Sequence, residues 1–305
     1  MSNYHNPVLL QTSVDFLVGN PAATYADVTF GGGGHSGEIM NRLTPQGRLI
    51  AFDQDSTSYQ NALIDSRFTF VTANFRHLKK FLQYYQSYPV QGILADLGVS
   101  SHQFDTPDRG FSYRYAGALD MRMNQASGLS ACDIINGYAE TQLAKLFYTY
   151  GELKNGGKIA AQIVQERQNQ IIKTTEQLIE VVSKLLPHGK ENKTLSQLFQ
   201  ALRIEVNDEI GALQEFLLQC TDALCPDGRL VVIAYHSLED RLVKNFMKSG
   251  NFEGIIKKDF FGNPLTPFEL ITRKVIIPDE KEITTNPRAR SAKLRVAAKR
   301  PTVNS

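Results

Sequence analysis

Short apolar runs rich in β-favouring residues alternate with polar, helix-patterned stretches through the first third of the chain. The runs are Tyr25–Phe30 (YADVTF), Arg48–Asp53 (RLIAFD), Phe68–Ala73 (FTFVTA) and Gln91–Leu97 (QGILADL), with Ser36–Leu43, Ser56–Ile64 and Arg76–Tyr85 between them. Strands that alternate with helices predict right-handed βαβ crossovers and a parallel sheet covered on both faces.

From about Phe104 to Leu202 the strand signal disappears. Ala131–Thr149, Gly157–Ile172 and Thr175–Leu186 place apolar residues at i, i+3 and i+4. Thr174-Thr175-Glu176-Gln177 supplies a capping start for the last of these, and Pro187 to Gly189 a stop. A purely helical block inside an alternating chain predicts an inserted domain. The α/β pattern then resumes with a helix at Asn207–Leu224, a breaker at Pro226-Asp227-Gly228 and a strand at Arg229–Tyr235. Arg273–Ile277 and Lys293–Ala297 are two further candidate strands. The expected division is 1–104 and 204–305 for the α/β domain, with 105–203 as the helical insert. There are no internal repeats.

A chain of 305 residues with 42% hydrophobic and 21% charged residues has ample material for a buried core, which excludes a wholly disordered or fibrous protein. No stretch approaches the ~18 uninterrupted apolar residues of a membrane helix. The start, MSNYHNPVLL, lacks the basic and apolar regions of a secretory signal. Cys132, Cys220 and Cys225 form no CxxC pair, and the six histidines show no metal spacing. The expectation is a cytoplasmic protein with no metal and no membrane association, as a monomer or homodimer. The net charge of +2 conceals an asymmetry. Residues 286–305 hold six basic groups, Arg288, Arg290, Lys293, Arg295, Lys299 and Arg300, and no acidic one. A basic terminal stripe on a slightly acidic body suggests an anionic polymer as partner, with a solvated tail as the alternative.

The most informative local feature is Asp27-Val-Thr-Phe-Gly31-Gly32-Gly33-Gly34-His35-Ser36-Gly37, which follows a strand and opens a helix. Glycines let the backbone turn sharply and approach a ligand, and a helix start presents free N–H groups. Asp53 ends the next strand, placed to accept hydrogen bonds from a ribose diol. Gly32-x-Gly34-x-x-Gly37 formally matches GxGxxG, and Asp53 lies 19 residues past Gly34, so a dinucleotide competes for this site. Asp27 speaks against a pyrophosphate nearby. S-adenosylmethionine, which brings a sulfonium and an ammonium, tolerates such an acid.

The fourth strand runs into Asp96-Leu97-Gly98-Val99-Ser100-Ser101-His102-Gln103. Asp53, Asp96 and the glycine loop should converge beyond the carboxyl ends of the strands, where strand order switches. Phe75, just after the third strand, is a candidate to pack against an adenine or simply a core residue. Arg109-Gly110-Phe111-Ser112 and Leu119-Asp120-Met121-Arg122-Met123 offer arginines for a phosphodiester backbone, unless Asp120 and Arg122 form a structural ion pair. His236-Ser237 evokes a serine hydrolase, but the GxSxG elbow is absent.

Taken in order, these pieces resemble the bacterial ribosomal RNA small-subunit methyltransferase H family. The matching stretches are Tyr4–Leu10, Thr29–Gly37, Asp53-Gln54-Asp55, Asp96–Ser101, Arg109–Ser112, Leu119–Met123, Phe199–Asn207, His236–Arg241 and Asn286–Arg295, which span nearly the whole chain. The resemblance implies a Rossmann-like class I methyltransferase sheet with a helical insert and methylation of N4 of a cytidine in 16S rRNA. It also implies S-adenosylmethionine contacts at Gly33, Gly34, His35, Asp53, Phe75, Asp96 and Gln103. Two departures fall in the insert. Leu153 stands where the family usually has a second glutamate, and Asn192–Ser196 replaces a run containing His-Pro.

Methyl transfer from a sulfonium is an in-line displacement whose thioether leaving group needs no acid, so alignment and electrostatics should dominate. The cytosine N4 lone pair is delocalised, and an acceptor must hold the amino hydrogens. Many exocyclic-amine methyltransferases place an acid or amide followed by Pro-Pro after the fourth strand. Here that place is Asp96-Leu97-Gly98, without the prolines. Asp96 or Asp120 is therefore the expected acceptor, with Arg109, Arg122 and Arg203 positioning RNA and Arg288, Arg290, Lys293 and Arg295 adding backbone affinity. A nicotinamide-dependent oxidoreductase and a non-catalytic ribosome-assembly factor are the competing readings.

Overall fold

A computed structural model describes residues 7–126 and 128–301. Tyr4, His5 and Asn6 of the opening motif, and residues 302–305 of the basic stripe, lie outside the described residues. In chain order the first elements are α1 (Leu10–Leu17), β1 (Thr24–Asp27), α2 (Gly34–Arg42), β2 (Arg48–Asp53), β3 (Phe68–Thr72), α3 (Leu78–Tyr84) and β4 (Val90–Asp96). Then come α4 (Ser101–Asp105), α5 (Ala131–Gly137), α6 (Glu140–Gly151), α7 (Gly156–Glu166), α8 (Thr175–Val182) and α9 (Glu191–Asn207). The chain finishes with α10 (Glu209–Ala223), β5 (Leu224–Ala234), α11 (Ser237–Ser249), β6 (Phe268–Leu270), α12 (Glu280–Thr285) and β7 (Lys293–Lys299). No described helix is long and apolar enough to cross a membrane.

Two compact units emerge. One comprises the described residues up to Gly98 and from Ile210 onward, and the other is Val99–Glu209. These limits differ by six residues at each end from the division read from the sequence. Val99, Phe104 and Val206 pack on the helical unit's own core, which draws both connecting segments into that unit.

The first unit is a Rossmann-like α/β sheet of order β3-β2-β1-β4-β5-β7-β6. β3 through β5 are parallel, and β7 runs antiparallel to both β5 and β6. Successive side chains on a strand point to opposite faces, and here both faces are apolar. Leu230 and Val232 of β5 join one core with Ile50, Phe52 and Phe216, while Val231 and Ile233 join the other with Leu17, Ile39 and Leu49. Double-sided burial is why these strands read as continuous apolar runs.

Pro226-Asp227-Gly228 does not precede a strand, as expected, but lies within β5. β5 already pairs at Leu224 with Val90, and the register then jumps so that Arg229 meets Gly92. Asp227 there adopts φ 61°, the left-handed turn of a bulge. Arg273–Ile277 is not a strand either. It touches β7 through a single bridge, Ile276 to Leu294, and the edge strand is Phe268–Leu270. Ser56–Asn61 forms a 3-10 turn instead of an α-helix.

The helical unit is built around Leu143, Phe147, Ile159, Ile163, Leu178, Leu198 and Leu202. The expected helix Ala131–Thr149 is two helices, α5 and α6, because Tyr138 and Ala139 turn extended between them. The Thr174–Gln177 capping box forms as anticipated. Leu153, the family departure, is 3% exposed in this core, so the absent carboxylate is replaced by apolar packing.

Candidate functional site

In the sheet unit, strand order reverses beside β1, whose neighbours are β2 and β4. A crevice opens beyond the carboxyl ends of strands at such a switch point. β1 leads there into the glycine loop. Gly31 and Gly33 hold φ of 52° and 78°, and Gly33 caps α2 in the left-handed region that favours glycine. A Cβ on Gly33 would stand 2.8 Å from the Phe30 ring, and one on Gly34 2.1 Å from Pro7 Cγ. Both glycines are therefore required by the protein's own packing, whatever they also do for a ligand.

Asp27 does not face the crevice. It is fully buried, accepting hydrogen bonds from Ser36 Oγ at 2.7 Å and Thr29 N at 3.1 Å. It fastens the loop to the start of α2, so its supposed preference for a cationic ligand is not how the site discriminates. Asp53, at the end of β2, accepts from Gly31 N and Asp55 N, each at 2.8 Å. Burial raises its carboxyl above the usual range against the pull of these donors.

Asp96 ends β4. Its N–H donates to Thr29 Oγ1, and its Oδ1 accepts from the Tyr235 hydroxyl at 2.8 Å. Its side chain keeps 22% of its surface exposed. Burial raises its pKa to about 7, the Tyr235 hydrogen bond opposes the rise, and Glu239 adds to it. His35 Nδ1 lies 3.7 Å from Asp96 Oδ2, while Nε2 lies 3.1 Å from Val8 O. Burial pushes the imidazole below its ordinary pKa despite the attraction of Asp27, so His35 brings no positive charge at neutral pH.

Tyr235 and Glu239 escaped the sequence reading. Asp96 pairs with Ile233 of β5, so Tyr235, two residues further along, emerges on the same face of the neighbouring strand. Glu239 receives the Tyr235 N–H at 3.0 Å from the first turn of α11. Burial pushes the Tyr235 phenol well above its ordinary value, which keeps it a donor. Phe75 lies half-buried just after β3, its ring edge-on to Phe216 at 5.3 Å.

The remaining expected residues are spread over both units. Gln103 lies in the helical unit, where it closes the capping box of α4 with Ser100. Asp120 and Arg122 form a structural ion pair at 2.8 Å. Burial would raise the Asp120 carboxyl, but the Arg122 hydrogen bonds outweigh it and hold it low. Arg109 is 5% exposed and donates to the carbonyls of Arg122 and Met123. Arg203 grips Glu209 through two hydrogen bonds. In the sheet unit, Lys293 and Arg295 both reach Asp240, at 3.3 and 2.7 Å. Arg288 and Arg290 stand exposed on the turn before β7. Most of the arginines expected on RNA thus have structural partners within the chain.

The chemistry of the donor set tests which ligand fits. The glycine loop, neutral His35, Asp53 and Asp96 offer backbone groups and carboxylates, with no lysine or arginine among them. Carboxylates suit ribose hydroxyls and a ligand that carries its own cation, and they repel a pyrophosphate. A sulfonium nucleoside with an amino-acid tail fits this set.

Comparison with known proteins agrees. Proteins named ribosomal RNA small subunit methyltransferase H from Bacteroides fragilis and Bacteroides thetaiotaomicron are 56% and 57% identical to it, covering 98% and 97% of this chain and 98% of their own lengths. One from Flavobacterium johnsoniae is 55% identical over 97% of this chain and 98% of its own. Among solved structures, a putative rRNA-methylase from Clostridium thermocellum covers 99% of both chains at 12% identity with a TM-score of 0.42. The model of the MraW methylase family matches residues 2–300, and the chain belongs to that family of methyltransferases.

Proposed function

We propose that this methyltransferase moves the methyl group of S-adenosylmethionine to N4 of a cytidine in the 16S rRNA of the small ribosomal subunit, in the cytoplasm. The observation that carries this reading is the chain-long identity to proteins bearing the name ribosomal RNA small subunit methyltransferase H. The carboxylate-rich site at the β1–β4 switch point, with no lysine or arginine among the described residues named for it, supports it.

When bound, S-adenosylmethionine supplies an electrophilic methyl on a sulfonium that leaves as a neutral thioether. Asp53 is placed to accept the ribose hydroxyls, and the glycine loop keeps side chains out of the way. Asp96 is the better of the two expected amine acceptors. Asp120 is committed to Arg122, whereas one oxygen of Asp96 lacks a comparably close partner among the described residues; its nearest, His35 Nδ1, is 3.7 Å away. A pKa near 7 matches a group that accepts a proton at neutral pH. As the N–C bond forms and the C–S bond breaks, the amino nitrogen must shed one hydrogen, and the Asp96 carboxylate is the acceptor in this reading. The Tyr235 hydroxyl holds that carboxylate in place, and Thr29 Oγ1 anchors the backbone N–H of the same residue. Arg109, Arg122 and Arg203 act by shaping the helical unit rather than as open phosphate ligands, while Arg288 and Arg290 supply exposed charge for the RNA backbone. The target base must be unpaired or splayed from its helix.

The test is transfer of labelled methyl to small subunits lacking the modification, followed by digestion and identification of the nucleoside. N4-methylcytidine supports the proposal. RNA binding with no transfer would favour the assembly-factor reading instead.

A further inference from the structure

Residues 257–265 fold back on themselves, well away in sequence from every residue of the proposed site. Leu265 N donates to Lys257 O at 2.8 Å, and Asp259 N to Asn263 O at 2.9 Å. Asp259 Oδ1 also accepts from Phe261 N and Asn263 N, so the turn is cross-braced by its own side chain. This braced tip carries Phe260 and Phe261, 98% and 84% exposed, with ring centroids 5.5 Å apart at 87°. Two phenyl rings presented to water on a stiffened turn mark a contact site, since a turn needs no aromatic residue to form. Lys257 and Lys258 are exposed at its base.

The chain continues from this hairpin into β6, the edge strand of the sheet. A cleft of about 290 Å³ lies between α11 and the end of β6, with Met247 and Leu270 in its lining. Lys244, Lys248, Arg273 and Arg295 also line it, and no acidic residue does. Arg295 is held by Asp240. Lys244, Lys248 and Arg273 form no ion pair among the described residues.

We propose that the hairpin and the cleft form a second RNA-contact surface, on which Phe260 and Phe261 stack against unpaired bases while Lys244, Lys248 and Arg273 take the phosphodiester backbone. This rests on the reading that the substrate is RNA. Charge decides the occupant. The cations repel a second copy presenting the same face, and they complement a polyanion. Every base offers a π-face, so an aromatic platform with exposed Lys257 and Lys258 at its base suits single-stranded RNA. The surface adds affinity and register, and takes no part in methyl transfer.

The experiment compares the full-length protein with F260A/F261A and K244Q/K248Q/R273Q, measuring binding to deproteinised 16S rRNA across a salt series. Removing the rings should weaken binding about 10-fold or more with an unchanged salt slope. Removing the charges should lower the slope by about two. Affinity for S-adenosylmethionine and thermal stability should stay at wild-type values, because all these side chains are outside the core. Wild-type RNA binding by both variants would overturn the proposal. So would a defect seen only with assembled subunits, which points to a ribosomal protein, or a dimer that F260A/F261A turns into a monomer without changing RNA binding. Wild-type protein that neither binds nor methylates rRNA would instead overturn the underlying reading, and this surface with it.

Discussion

Replacing Tyr235 with phenylalanine removes one hydroxyl and leaves the ring. That hydroxyl donates to Asp96 Oδ1 at 2.8 Å and favours the ionised carboxylate, holding the pKa down to about 7 against the rise imposed by burial. Its loss must therefore raise the Asp96 pKa. A hydrogen bond to a charged acceptor is worth about 1.5–3 kcal/mol, and at 1.36 kcal/mol per unit the shift is about 1–2 pH units. With a one-unit shift, the ionised fraction at pH 7 falls from about half to about a tenth. Turnover by Tyr235→Phe should thus be ~5-fold below wild type at pH 7, ~10-fold below at pH 6 and nearly equal at pH 9. The assay is kcat/KM for labelled methyl transfer to unmodified small subunits from pH 5.5 to 9.5, with thermal melting to confirm the fold. A loss of the same size at every pH would show that Tyr235 supports structure alone. An acid limb that stays in place would refute Asp96 as the proton acceptor.

Asp96→Asn should stabilise the protein in a pH-dependent way. An acid whose folded pKa lies above its unfolded value of 3.8 costs nothing when protonated, costs more as pH rises from about 4 to 7, and costs most above 7. The gain in unfolding free energy, read by chemical denaturation, should be large at pH 8, with about 4 kcal/mol as its ceiling, and should vanish near pH 4, while methyl transfer is lost. A gain independent of pH would contradict the raised pKa. Gly34→Ala places a methyl 2.1 Å from Pro7 Cγ, so chemical denaturation should show a loss of about 1–3 kcal/mol. Wild-type stability there would mean that Pro7 moves freely. Asp240→Ala strips Lys293 and Arg295 of their shared partner and should cost about 2–3 kcal/mol near neutral pH. Arg295 and Lys293 hold the Asp240 carboxyl below 3.8 although burial opposes them. Wild type should keep this advantage through pH 4 and lose it only as pH falls through that depressed value. A gap that closes by pH 5 would contradict the pairing.

The parallel strands were legible because burial on both faces leaves a run such as Arg48–Asp53 apolar along its whole length. Edge elements were not. Val275-Ile276-Ile277 has strand-like composition, yet with one bridge to β7 it cannot extend, and Pro278 follows. Helix α9 was readable from Leu195, Leu198, Phe199 and Leu202, which are spaced at three and four and buried together, although the sequence reading took part of it only as a family motif. Within the candidate site, Asp53 and Asp96 were legible because each ends its strand. Tyr235 was not, since its meeting with Asp96 depends on β5 lying next to β4 across an inserted helical unit, which no local pattern encodes. The partners of the basic residues were hidden for a related reason. Sequence shows Arg203 and Arg295 as charges, and only the fold supplies Glu209 and Asp240 to neutralise them.

The central claim is that the crevice formed by the glycine loop, Asp53 and Asp96 takes a cationic sulfonium nucleoside. Isothermal titration of the folded protein and of Asp53→Asn with S-adenosylmethionine and with NAD tests it most directly. The account predicts saturable binding of S-adenosylmethionine, at least ~10-fold weaker in the variant for loss of a charged hydrogen-bond acceptor, and no heat with NAD. Tight NAD binding, or S-adenosylmethionine affinity indifferent to Asp53, would contradict it.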